Sequence, residues 1–206
     1  MQANTMPAVQ YTVWPDDLHG HRFTVKLVIE NPDPAGQIIA MPAWIPGSYL
    51  IRDFSKQIET ITAFTSVKKT ELRKLIPLER LDNDRWRLPK NIGSCEIITT
   101  VYAFDQSVRA AYLDQNRGFF NLTSLCLGVQ GQAHLPCSLA IAPPADQTLL
   151  QWDVQCTLTP VKTDSNGFGF YLAKNYDDLI DHPIALGHFD VIEWEVFGTN
   201  HAMVIQ

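Results

Sequence analysis

The sequence predicts a mainly β protein, built as an antiparallel β-sandwich or as saddle-like twisted sheets with very little helix. Three observations predict it. The stretch "HRFTVKLVIEN" alternates Phe23, Val25, Leu27 and Ile29 with Arg22, Thr24, Lys26 and Glu30, the two-residue period of a strand buried on one face. Short stretches of the same character recur along the chain between clusters of Gly, Pro, Asn and Asp, the spacing of an all-β domain. A helix signal is confined to one short segment, "NYDDLIDHP".

Taken in order, "PDPAG" (32–36) ends the first strand as a turn. "QIIAMPAWIP" follows as a strand whose Pro42 suits an edge or a bulge, because proline gives no N–H to a ladder. "WIPGSYLIRDF" (44–54) turns at Pro46-Gly47. That pair fits the centre of a type II turn, since proline fixes φ and glycine accepts a positive one. Extended chain beyond it would set Tyr49, Ile51 and Asp53 on one face and Leu50, Arg52 and Phe54 on the other. An Arg52-Asp53 pair in so apolar a setting reads either as an ion pair at a sheet edge or as part of a site.

Further strands are expected in "QIETITAFTS", "LRKLIPLERL", "RWRLP", "CEIITTVYAFD", "LTSLCLGV", "CSLAIAPP", "QWDVQCTL", "FGFYLA", "DVIEWEVFG" and "HAMVI", with "LDND" (81–84) as a hairpin turn. "QSVRAAYLD" (106–114) is either a single helical turn or an irregular strand. "NYDDLIDHP" is the one helix expected: Asn175 caps it, Asp178 stands at the capping-box position and Pro183 stops it. "EWEVFGTNHAMVIQ" reads as a hairpin. With no repeat, low-complexity tract or linker in view, residues 1–206 are read as a single N-terminal β domain. A strand running to Gln206 gives the expectation that this domain is cut from a longer polypeptide.

Hydrophobic residues make up 46% of the chain and charged residues 18%, which suits a packed core and not a disordered chain. A formal charge of −6 lacks the basic stripe of a nucleic-acid binder, and the Lys68-Lys69 pair reads as a solvated turn or strand end. No apolar run approaches the roughly 18 residues needed to cross a bilayer. No secretory signal opens the chain, so a cytoplasmic location is expected, with neither nucleic acid nor membrane as partner. Cys95, Cys126, Cys137 and Cys156 form no C-x-x-C pair. They read as buried thiols in a reducing compartment.

The search for chemistry in the sequence is mostly negative. H-E-x-x-H, the phosphate loop, the dinucleotide G-x-G-x-x-G and the G-x-S-x-G elbow are all missing. "GFGF" (167–170) reads as a turn entering a strand. His19 and His21 share a face if extended, but no third metal ligand is indicated. The pairs Asp16-Asp17 and Asp177-Asp178 read as cap and turn residues, since neighbours in a strand or helix do not share a face. The five Trp residues, 14, 44, 86, 152 and 194, either fill the core or line a sugar cleft, with the core favoured.

Three stretches together carry a family resemblance: "MPAWIPGSYLIRDFSKQI", "VYAFDQSVRAAYLDQNRGFFNLTSLCL" and "NYDDLIDHPIALGHF". In this order and spacing, from about Tyr11 to Ile205, the chain resembles the N-terminal region of the glycyl aminopeptidase family of zinc metallopeptidases. The resemblance implies a non-catalytic β domain ahead of a thermolysin-like catalytic domain, commonly followed by a PDZ domain. Zinc is then expected in that catalytic domain and no cofactor in this chain, which is expected to be inactive alone. The partners implied are the downstream catalytic domain and, in the whole enzyme, a peptide substrate. A homodimer through the exposed interdomain surface is a further expectation.

The resemblance also nominates residues. In the broader group of zinc aminopeptidases a polar residue of the β domain reaches the substrate amino group. Carried onto "RGFFNLTS", this makes Asn121 and Thr123 candidates for substrate contact, with Asp181 and His182 as a second pair. Arg52, Asp53, Arg109 and Tyr112 are assigned to a polar network facing the catalytic domain. The competing reading of each is local service to the backbone. Two other functions compete with the peptidase module: a self-sufficient carbohydrate- or ligand-binding β-sandwich, and a structural domain that pairs with a second copy.

Overall fold

The computed structural model describes residues 7–45, 47–66 and 73–206, with strands numbered in chain order. Its largest sheet has eight strands in the spatial order β14 (Thr159–Thr163), β15 (Gly169–Ala173), β12 (Cys137–Ile141), β1 (Val9–Asp17), β2 (Arg22–Ile29), β8 (Cys95–Tyr102), β4 (Ile58–Thr65) and β5 (Leu75–Ile76). Neighbours run antiparallel except β1 and β12, which are parallel from Val9 opposite Cys137 to Val13 opposite Ile141. The register lines up Tyr171, Leu139, Tyr11, Leu27, Ile97, Ala63 and Ile76 as one row across seven strands. Every member of that row is buried, as period-2 alternation requires of the core face.

Two four-stranded sheets share that core. One has the order β13 (Asp153–Cys156), β16 (Ile184–Gly187), β10 (Arg117–Phe120), β9 (Ala111–Leu113). The other has the order β11 (Gly128–Val129), β3 (Ile38–Ala40), β7 (Arg85–Arg87), β6 (Glu79–Arg80). Phe23 of β2 meets Phe120 of β10 edge to face with ring centroids 4.9 Å apart, a geometry that adds to the burial of both rings. The buried Tyr11 hydroxyl donates to the Leu127 carbonyl at 2.8 Å. Among the described residues no sheet closes into a barrel. The mainly β reading therefore holds, as several sheets packed on one core.

Two short helices complete the body, α1 (Gln147–Leu150) and α2 (Tyr176–Ile180). In α2 the Asn175 side chain accepts from the Asp178 N–H at 2.8 Å, and Asp178 in turn accepts from the Lys174 N–H at 2.8 Å. That is the capping expected from sequence, with the reciprocal bond one residue earlier than the usual box. The "LDND" turn joins β6 to β7 as expected, closed by Leu81 N–H donating to the Arg85 carbonyl at 2.9 Å. Gly169 has φ 142, and a Cβ there would lie 2.2 Å from the Lys162 carbonyl oxygen, so "GFGF" does enter a strand through a turn only glycine permits. Lys68-Lys69 and Pro46 lie outside the described residues.

Several expectations are corrected. β1 is central to the large sheet, yet "VQYTVWPDD" carries Pro15 and two acids and did not read as a strand. Its Val9, Tyr11 and Val13 are nonetheless buried in alternation. "LTSLCLGV" is strand only at Gly128–Val129; it begins as a 3-10 turn at Leu122–Ser124 and runs on as a buried loop, with Cys126 N–H donating to the Leu122 carbonyl at 2.7 Å. Leu122, Leu125, Cys126 and Leu127 are all buried, and an apolar run enclosed on every side shows no period to distinguish strand from turn. "QIIAMPAWIP" supplies only Ile38–Ala40 as strand, and the chain beyond the Gly47 turn is not extended, so Tyr49, Ile51 and Asp53 form no regular face.

Candidate functional site

The three stretches that carry the family resemblance meet in space. Their meeting point is the buried 3-10 turn Leu122–Ser124. A second 3-10 turn, Phe54–Gln57, packs on it from one side and α2 from another. The Tyr176 hydroxyl of α2 donates to the Cys126 carbonyl at 2.7 Å. Asn121, at the head of the buried turn, donates through its side-chain amide to the Val108 carbonyl and through its backbone N–H to the Ala110 carbonyl at 3.1 Å. Asn121 is thereby the clamp that holds the 105–110 loop in place.

Between that loop and the 54–57 turn lies a pocket of about 90 Å³ lined by Arg52, Lys56, Gln57, Tyr102, Asp105 and Ser124 among others. Local backbone geometry aims Arg52 into it. The Arg52 N–H donates to the Ala43 carbonyl at 2.7 Å. Asp53 sits in the left-handed region with φ 50, a conformation that costs a non-glycine residue of order 1 kcal/mol. Asp53 turns back on its own segment and accepts from the Ser55 hydroxyl at 3.0 Å. Arg52 and Asp53 thus diverge, and no ion pair joins them among the described residues. The Arg52 Nε is buried without a hydrogen-bond partner among the described residues, an omission that costs roughly 1–3 kcal/mol.

The remaining candidates are distributed as follows. Arg109 is exposed, its N–H donating to the Ser107 hydroxyl at 3.3 Å. Tyr112 is buried and its hydroxyl donates to Asp114 at 2.9 Å. Its ring stacks on Phe104 at 5.3 Å, with the Arg117 guanidinium 4.9 Å from the ring centroid. Thr123 is fully buried with its hydroxyl unpartnered among the described residues. His182 Nδ1 lies 2.6 Å from the Thr157 hydroxyl and its Nε2 lies 4.0 Å from Asp178. These side chains line a different cavity, of about 430 Å³, together with Lys174 and Leu172. Asp181 is exposed at the end of α2. Of the four residues assigned to one network, Arg52 alone lines the 90 Å³ pocket. The two pairs assigned to substrate do not share a cavity.

An exposed interdomain surface was expected, but not which residues would form it; two uncovered apolar surfaces are present. Both flanks of the Arg52 pocket carry exposed apolar side chains: Tyr49, Leu50 and Ile51 on one, Tyr102, Phe104 and Val108 on the other. The run after the Gly47 turn was the available signal, obscured by reading it as alternating faces. The second surface is the hairpin of β17 (Asp190–Val196) and β18 (Thr199–Ile205). Every residue in both strands is exposed. The cross-strand pairs place Ile192, Trp194, Val196, His201, Met203 and Ile205 on one face, with Trp194 and His201 stacked at 5.6 Å. The other face carries Glu193, Glu195 and Asn200 with Val191, Ala202 and Val204. The five tryptophans do not gather: Trp86 and Trp152 are buried, while Trp44 and Trp194 are exposed in separate segments.

Among the described residues no group of three or more His, Cys, Asp or Glu side chains is placed to hold a metal, so the residues present do not fit a zinc site. All four cysteines are free. Burial pushes the Cys95 and Cys156 thiols up to about 11 and Cys137 up to about 12. No helix among the described residues is long and apolar enough to cross a membrane.

Fold and surfaces together define an open-sheeted β domain with two apolar surfaces left bare. The family model of the Peptidase M61 N-terminal domain matches residues 10–188, and the chain belongs to that family, as the sequence resemblance implied. A crystal structure of an aminopeptidase N family protein from Idiomarina loihiensis is 41% identical in sequence with a TM-score of 0.86. The match covers 95% of this chain and 32% of that one, so this chain spans about a third of the solved relative. That coverage exceeds what residues 1–188 comprise, so the shared structure extends into the terminal hairpin. Comparison with curated proteins gave no match.

Proposed function

We propose that this chain is the non-catalytic N-terminal module of a zinc aminopeptidase, packed against a catalytic domain and forming one wall of its peptide cleft. The observation that carries the reading is the β17–β18 hairpin. An isolated two-stranded ribbon is marginal in water, and one that exposes Ile192, Trp194, Val196, Met203 and Ile205 on one face is built to be covered. The hairpin lies beyond the span of the family model, yet the structural match to a chain three times as long extends into it. In this reading zinc and the catalytic base belong to the covering domain, and the module supplies shape and polar contacts. In this reading Asn121 acts through the 105–110 loop it holds. A cytoplasmic, reducing location belongs to the same reading, in which the four cysteines stay free.

Hydrogen exchange tests the reading. Amides of Asp190–Ile205 should exchange rapidly in this chain alone and be protected when the polypeptide that follows the module in the longer relatives is supplied in the same chain. Rapid exchange in both states would overturn the reading, as would zinc-dependent trimming of peptide N-termini by this chain alone. Concentration-dependent protection in the isolated chain would instead assign the hairpin to pairing of two copies.

A further inference from the structure

We infer that the Arg52 pocket is a binding site for a side-chain carboxylate, Asp or Glu, presented by an apolar segment of a docked protein surface. The inference rests on the docking reading for the source of that carboxylate, though the binding itself is a property of this chain alone. Four features of the pocket agree. Arg52 Nε is buried and has no hydrogen-bond partner among the described residues, so a charge-bearing donor lacks an acceptor there. A guanidinium fork matches a carboxylate by two parallel bonds, which a neutral carbonyl cannot reproduce. Lys56 and Gln57 add further donors to the same lining. The cavity volume of about 90 Å³ leaves room for a small charged head group.

The pocket contains one acid of its own, Asp105, engaged locally through one oxygen. Its Oδ1 accepts the Ser107 N–H at 2.8 Å, and no ion pair joins it to Arg52 among the described residues. With Arg52 and Lys56 against Asp105, the lining keeps an excess positive charge. The surroundings select the kind of carboxylate. Tyr49, Leu50 and Ile51 on one side and Tyr102, Phe104 and Val108 on the other are exposed apolar groups. A segment crossing the pocket would lay apolar residues on both flanks while its central acid enters. A terminal carboxylate has chain on one side only and would leave one flank bare. A buried charged anchor ringed by apolar contacts is the arrangement of an interface hot spot.

The test follows the Arg52 Nε–Hε resonance of this chain by NMR at constant ionic strength. Acetyl-Leu-Glu-Leu-amide should shift it saturably and bind at least about tenfold more tightly than the isosteric acetyl-Leu-Gln-Leu-amide, the ratio expected for one charge-assisted bond. Arg52→Gln should abolish the difference between the two peptides, and Arg52→Lys should reduce it, because the fork is lost while the charge remains. Equal affinity for the Glu and Gln peptides overturns the inference, and so does tighter binding of acetyl-Leu-Leu-Leu with a free terminus than of the Glu peptide. A uniform shift of all arginine resonances, matched by sodium chloride, also overturns it. The wild-type comparison stands even if a variant fails to fold. Its failure leaves the hairpin exchange result untouched, so the two readings fall separately.

Discussion

Strands β2 and β17 carry nearly the same alternation and meet opposite fates. In β2 the residues Phe23, Val25, Leu27 and Ile29 are all at most 2% exposed. In β17 the residues Ile192, Trp194 and Val196 are 51%, 42% and 42% exposed. A two-residue period states which side chains share a face; it does not state that anything covers that face. β2 is flanked by β1 and β8 and roofed by β10 through Phe120. β17 has β18 beside it and no third strand among the described residues. The core half of the molecule is therefore stable by its own packing, whereas the hairpin holds an apolar surface in reserve.

The contrast is open to direct attack by substitution and denaturant unfolding. Phe120→Ala removes a fully buried ring and should cost about 3–5 kcal/mol, the largest single effect expected. Tyr11→Phe leaves the buried Leu127 carbonyl without its donor and should cost about 1–3 kcal/mol. Asn175→Ala removes the α2 cap, at about 1 kcal/mol.

A smaller, pH-dependent effect is expected at Asp114. Burial raises its carboxyl, but the N–H groups of Asn116 and Arg117 and the Tyr112 hydroxyl outweigh this and hold it below its ordinary 3.8. A lowered native value means that the stabilisation is present above pH about 4 and fades as pH falls through the native value. Asp114→Asn should therefore flatten the acid limb of the stability curve and leave its neutral limb parallel to wild type.

The smallest effect belongs to the hairpin. Trp194→Ala should change the stability of this chain by no more than about 0.5 kcal/mol, while weakening any complex that covers the hairpin. A Trp194 effect as large as that of Phe120 would erase the distinction between the two regions.

The candidate site was less legible than the fold for a related reason. Asn121 was visible as a polar residue in an apolar run, but its role as clamp depends on Val108 and Ala110, which are distant in the extended chain. Arg52 and Asp53 looked like a pair because they are adjacent, and a left-handed Asp53 sends them apart. Arg109 and Tyr112 share a segment with the pocket wall, yet one points to solvent and the other into an aromatic stack.

By itself the sequence determined the β class, the strands with clean alternation, the turns at "PDPAG" and "LDND", the Asn175 cap and the family. These depend on neighbours within a few residues, where pleat geometry, proline, glycine and side-chain capping act. Tertiary structure alone decided that β1 runs parallel to β12 at the centre of the sheet, that Leu122–Ser124 coils instead of extending, that Arg52 faces a pocket, and that the last hairpin stands bare. Each of these depends on which distant segment supplies the covering surface, and burial is a property of the assembled fold.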